Sequence, residues 1–123
     1  MKFETYFREQ YGAALDSFSK QDIQSTIFHN TTPDRVEKIR QKGIYPLSVL
    51  HYSKGGVYFW RNYEKAVMYA GMSNLGFEKK NVIIHIDSRK IDGLYNVEEI
   101  PEAVWTPNTV PPDAIIKIEY YDN

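Results

Sequence analysis

The order of the periodic segments constrains this chain more than any other feature: two or three short helices come early, most strands come late, and no βαβ unit repeats. That order predicts an α+β fold over a doubly wound parallel sheet. Thr32–Gly43 carries the clearest punctuation. Thr32 can cap a helix, Pro33 suits its first position, Asp34 meets its positive end and Gly43 suits its stop, with Val36 and Ile39 facing inward. Asn62 caps a second candidate that ends at Gly71, with Ala66, Val67, Tyr69 and Ala70 as packing residues. Upstream, Phe3, Phe7, Tyr11, Leu15 and Phe18 recur at helical spacing, which predicts an amphipathic helix over about residues 2–18.

Strands are expected at Ser25–His29, Val57–Trp60, Asn81–Asp87, Ala103–Trp105 and Ile115–Tyr121. In Asn81–Asp87 the alternation gives Val82, Ile84 and Ile86 to one face and Ile83, His85 and Asp87 to the other. The acid-rich stretch up to Pro101 reads as a loop. At 123 residues the chain is expected to form a single domain, 1–123, with its core over about 25–122.

With 15 basic and 16 acidic residues, no global positive field points to nucleic acid or a membrane surface. The absence of cysteine removes disulfides, thiolate nucleophiles and Cys-type zinc sites. Apolar runs are too short for a spanning helix, and the N-terminal stretch is charged where a signal peptide needs an apolar centre. The expectation is a soluble, cytoplasmic protein with no membrane partner.

Polar residues at strand ends are the candidates for chemistry. His29, Asn30 and Thr31 stand just before a helix start, where free N–H groups, an imidazole and a hydroxyl can hold a ribose or phosphate. A structural histidine beside a capping threonine explains the same residues, and on these residues alone is the stronger reading. Tyr58 follows two glycines in a strand and Tyr69 lies on the next helix; two such rings can bracket a planar heterocycle, or simply pack. Glu98, Glu99 and Glu102 form an acidic run that reads as solvated unless a strand start directs one carboxylate at a sugar. Arg35, Lys38 and Lys42 fall on one side of a helix, facing solvent or a phosphate. His85 and Asp87 share a strand face without a further ligand cluster, so no metal site is expected.

Taken in order, Phe28-His29-Asn30-Thr31, Gly43-Ile44-Tyr45-Pro46, Gly55-Gly56-Val57-Tyr58-Phe59, Ala66–Ala70, Glu102 and Val110–Ile115 resemble the ADP-ribosyltransferases. The likeness is to the diphtheria-toxin-like branch with a His–Tyr–Glu signature and covers most of residues 26–121. The tail from Val82 to Ile118 is similar to enzymes that ADP-ribosylate DNA bases, while the histidine and tyrosines resemble poly-ADP-ribose polymerases equally.

The resemblance implies a split antiparallel β-sheet with short flanking helices and an NAD-binding cleft. His29 would hold the adenine-side ribose with help from Thr31, Tyr58 and Tyr69 would sandwich the nicotinamide, and Glu102 would bind the nicotinamide ribose and act in catalysis with His29 and Tyr58. Asn30 stands where the family usually has glycine and would contribute backbone hydrogen bonds to the nicotinamide amide. Glu99 is the reserve carboxylate. The implied activity is mono-ADP-ribosyl transfer from NAD to a protein or nucleic-acid acceptor, in a chain whose size also fits a toxin, effector or phage factor. A non-catalytic NAD-, ADP-ribose- or nucleic-acid-binding module and an inhibitory interaction module stand as the alternatives.

Overall fold

The computed structural model describes residues 25–46, 56–72 and 80–121; the expected helix at 2–18 and the loops around His51 and residues 73–79 lie outside them. Six strands, β1 (Thr26–Thr31), β2 (Val57–Trp60), β3 (Val82–Asp87), β4 (Tyr95–Val97), β5 (Ile100–Thr106) and β6 (Ile115–Tyr120), form one sheet in the order β4-β5-β2-β1-β3-β6. Every neighbouring pair is antiparallel. With two short helices, α1 (Val36–Lys42) and α2 (Tyr63–Ala70), the fold is α+β.

The alternation of apolar residues sets the two faces of this sheet. Val82, Ile84 and Ile86 join Ile27, Val57, Phe59 and Val104 in the main core, which Val36 and Ile39 of α1 and the downstream residues Ile91, Leu94 and Val110 complete. On the opposite face Ile83 and Phe28 pack with Ala66 and Ala70, so α2 uses small residues to lie close to the sheet. As expected, β3 divides its residues between the two.

Gly43 ends α1 at φ 81°, a left-handed backbone that favours glycine, and a Cβ there would stand 2.0 Å from the Val110 carbonyl oxygen. The chain then pairs Ile44 with Val110 through reciprocal N–H···O bonds of 2.9 and 2.8 Å. This bridge brings Ile44 and Tyr45 beside the central strands.

Several boundaries differ from the sequence expectations. β1 runs on through Asn30 and Thr31, since both continue the ladder opposite Ile83 and Val82. Thr32 makes no side-chain cap, and a 3-10 turn at Pro33–Arg35 precedes α1. The capping at Asn62 does form: its Oδ1 accepts from the Lys65 N–H at 3.0 Å. The acid-rich stretch expected as a loop contains β4 and the start of β5, so Glu102 is the third residue of a strand instead of standing before one.

Candidate functional site

At the centre of the sheet β1 and β2 share a single registered pair, Phe28 opposite Trp60. Beyond it a side chain takes over from the backbone ladder: the His29 Nδ1 lies 2.8 Å from the Tyr58 carbonyl oxygen. A cleft of about 570 Å³ opens at this break, lined by His29, Asn30 and Thr31 of β1 and by the whole of β2. That volume lies in the range of small-molecule sites. Ile39, Ile44 and Tyr45 reach the cleft from one layer, Tyr69 and Lys80 from the other, and Val97, Ile100 and Ala103 from the β4–β5 hairpin.

Burial is the main cause that lowers the His29 pKa to about 4, and the nearby cations Lys80 and Arg35 push the same way against the hydrogen bond to Tyr58, which raises it. The ring is therefore neutral near pH 7. A carbonyl only accepts, so Nδ1 carries the proton and Nε2 is the acceptor nitrogen. An imidazole in that tautomer suits a hydroxyl donor such as a ribose.

The two tyrosines are exposed within the cleft, Tyr58 at 37% and Tyr69 at 40%, so Tyr69 is a lining residue more than the packing residue its helix position suggested. Each has a tryptophan behind it. Trp105 stacks on Tyr58 with centroids 6.0 Å apart and planes 20° from parallel, while Trp60 is tilted against Tyr69 at 6.1 Å. Gly56 permits the first contact: at φ 134° it would place a Cβ 2.8 Å from the Thr106 carbonyl and 3.0 Å from the Trp105 ring. The Gly56 backbone therefore lies close against β5.

Arg35, Lys38 and Lys80 add positive charge to the lining, and no carboxylate lines the cleft among the described residues. Such a wall favours an anion, most strongly where the apolar surroundings lower the dielectric. Lys38 and Arg35 were legible as one stripe of a helix; Lys80 was not, because only the fold brings it to the cleft.

Glu102 stands next to the site. The register pairs Phe59 with Val104 and Trp60 with Ala103, so alternation puts Glu102 on the face of Val104, which is also the face of His29. It is half-buried, and its carbonyl accepts from the Arg61 N–H at 2.7 Å, yet its side chain does not line the cleft. Glu99 is exposed in the turn between β4 and β5 and is not a lining residue either. The structure thus brings His29, Asn30, Thr31, Tyr58 and Tyr69 together and leaves both carboxylates outside that group.

Asn30 is 9% exposed, and its Nδ2 donates to the carbonyls of Ala66 at 3.0 Å and Lys80 at 3.2 Å. Away from the cleft, His85 is half-buried, its Nε2 2.9 Å from Glu119 Oε1 while the Tyr63 hydroxyl donates to Oε2 at 2.6 Å; Asp87 instead binds Arg89. No group of acids and histidines suited to a metal occurs among the described residues.

No protein-family model matches this sequence, and no curated protein matches it. None of the described helices is long and apolar enough to cross a membrane.

Proposed function

We propose that this chain is a small mono-ADP-ribosyltransferase that cleaves NAD at the nicotinamide–ribose bond and transfers ADP-ribose to a macromolecular acceptor. The observation that carries the reading is the convergence of a neutral His29, Thr31 and two tryptophan-backed tyrosines in one cation-lined cleft at the break between β1 and β2. The chemistry of these groups fits the parts of NAD. His29 Nε2 accepts from a ribose hydroxyl, Tyr58 and Tyr69 offer faces to the nicotinamide ring, and Arg35, Lys38 and Lys80 balance the pyrophosphate.

Breaking the glycosidic bond sends its electron pair out with nicotinamide, which leaves neutral, and positive charge develops at ribose C1′. A carboxylate on the His29 face, Glu102, stabilises that charge once its side chain turns to the cleft. An acceptor nucleophile then bonds to C1′ and gives up its proton. A cytosolic NAD supply suits this chemistry, and disabling one cellular component as a toxin, effector or phage factor is a role open to so small an enzyme.

Nicotinamide release from NAD tests the reading, with cell lysate as the source of acceptors. Wild type should release nicotinamide and Glu102→Gln should lose about 100-fold or more of the rate. No release by wild type in the presence of lysate overturns it, and an undiminished Glu102→Gln overturns the assignment of the carboxylate.

One observation favours a second reading, in which the cleft binds NAD or ADP-ribose without turnover: no carboxylate lines it among the described residues. In that case NAD raises the melting temperature and no nicotinamide appears.

A further inference from the structure

We propose that the Asn30 side chain is a positioning residue, a clamp that holds Lys80 and the tyrosine-bearing helix α2 against β1 and so sets the anion-binding wall of the cleft. The inference rests on the reading that this cleft takes an anionic nucleotide. Asn30 and His29 are neighbours on β1 but face opposite ways: His29 pairs across from Ile84 of the main core, Asn30 across from Ile83 on the α2 side. From there one Nδ2 reaches two carbonyls distant in sequence, Ala66 in α2 and Lys80 just ahead of β3. Both partners only accept, so the amide orientation is fixed, with nitrogen toward them.

The consequences fall on the cleft. Tyr69 lies three residues after Ala66, on the same side of α2. Lys80 precedes the first residue of β3, and the Asn30 bond to its carbonyl ties it to the central strand. Both Tyr69 and Lys80 line the site.

The other end of the carboxamide shows why this is not a ligand contact. Asn30 Oδ1 is shut off from solvent and has no hydrogen-bond partner among the described residues. A buried acceptor without a donor costs about as much as two neutral hydrogen bonds return. The side chain therefore adds little net stability; its effect is to fix geometry. An enzyme that needed only a filled space here would do as well with an apolar residue.

A double-mutant cycle on the full chain tests the clamp, with ADP-ribose as titrant in calorimetry. Lys80→Met keeps the backbone carbonyl that Asn30 binds and should weaken ADP-ribose about 10-fold in the wild-type background. Asn30→Ala should weaken it to a similar degree, and adding Lys80→Met should then cost less than about 2-fold more, because the cation is already out of place. Independent effects, each at full size in the double variant, overturn the proposal, as does wild-type affinity in Asn30→Ala. Should Asn30→Ala lose its cooperative melting, Asn30→Ser, which keeps one donor, carries the same comparison. Hydrogen exchange on the unliganded chain supplies the second arm. The clamp requires faster exchange at 66–70 in Asn30→Ala with β3 still protected, and unchanged exchange overturns it. If wild type binds no ADP-ribose, the nucleotide reading of the cleft fails, while the exchange arm still decides the clamp.

Discussion

The His29 imidazole spans the break between the two central strands, its Nδ1 2.8 Å from the Tyr58 carbonyl oxygen. This bond joins the site to the sheet: the same contact that replaces a missing ladder bond also fixes the ring tautomer and its acceptor nitrogen. Burial of the same ring, which this bond only partly offsets, makes the fold sensitive to its protonation.

That sensitivity has a sign. The folded value, about 4, lies below the ordinary 6.5 of the unfolded chain, so the unfolded state takes up the proton first. Nothing is lost above pH 6.5. As pH falls below it, stability drops, by about 1 kcal/mol at pH 5.5 and about 3 kcal/mol once pH is below 4. Urea unfolding at pH 7.5, 5.5 and 4.5 should show this loss in wild type. His29→Gln should remove the part between pH 6.5 and 5, above the range where carboxylates titrate.

The Tyr63–Glu119–His85 network also loses stability as pH falls, but there the structure holds a carboxylate in its charged form instead of keeping an imidazole neutral. The Tyr63 hydroxyl bond is the largest cause holding Glu119 below its usual value, with His85 assisting. Its contribution is present above the ordinary carboxylate value and is lost as pH falls through the folded one. Glu119→Gln removes the charge and replaces one acceptor oxygen by a donor nitrogen, so the two contacts survive only as neutral hydrogen bonds. We expect it to cost about 1 kcal/mol at pH 7 and progressively less below pH 4.5, read from urea midpoints of the two proteins.

Gly43→Ala should be severe although the residue is small. The substitution adds a Cβ at φ 81° and drives it into the Val110 carbonyl, breaking the Ile44–Val110 bridge. A loss of at least about 2 kcal/mol is expected from the backbone conformation and the clash together. Because Ile44 and Tyr45 line the cleft, ligand-induced thermal stabilisation should shrink with it. A change under about 0.5 kcal/mol would show that this turn can relax.

These positions also show what was legible beforehand. Gly43 and Asn62 announce helix ends because turn and cap chemistry is local, and β3 announces its two faces because period-2 alternation is local too. β4 carries no such local signal: it is a three-residue edge strand with Asn96 at its centre, set in an acidic run. Asn30 and Thr31 looked like the approach to a helix because they are polar, whereas their partners Ile83 and Val82 keep them in the ladder. The grouping of His29 with Tyr58 and Tyr69 followed from motif order. The contribution of Lys80 and the backing of Tyr58 by Trp105 depend on pairings between distant segments, which no local pattern encodes.

Arg61 carries no motif signal in the sequence, and only the fold gives it a role. It sits in the turn between β2 and α2, and its backbone N–H holds the Glu102 carbonyl at 2.7 Å. Its Nε donates to the Pro101 carbonyl at 3.0 Å, and its Nη2 donates to Asn96 Oδ1. One guanidinium thus secures the hairpin of β4 and β5 directly beside Glu102. Lysine cannot reproduce the two-pronged geometry. For Arg61→Lys we expect a stability loss of about 1–2 kcal/mol from the weakened charge-assisted bonds. On the proposed activity, ADP-ribose affinity should stay within about 3-fold of wild type, because Arg61 does not line the cleft, while nicotinamide release falls about 10-fold, because a displaced hairpin hinders Glu102 from turning its carboxylate toward the reacting carbon. Steady-state release and calorimetry on one preparation separate the two quantities. Equal falls in affinity and rate would mean that Arg61 supports the whole cleft; an unchanged rate would mean that the hairpin holds Glu102 in place without it.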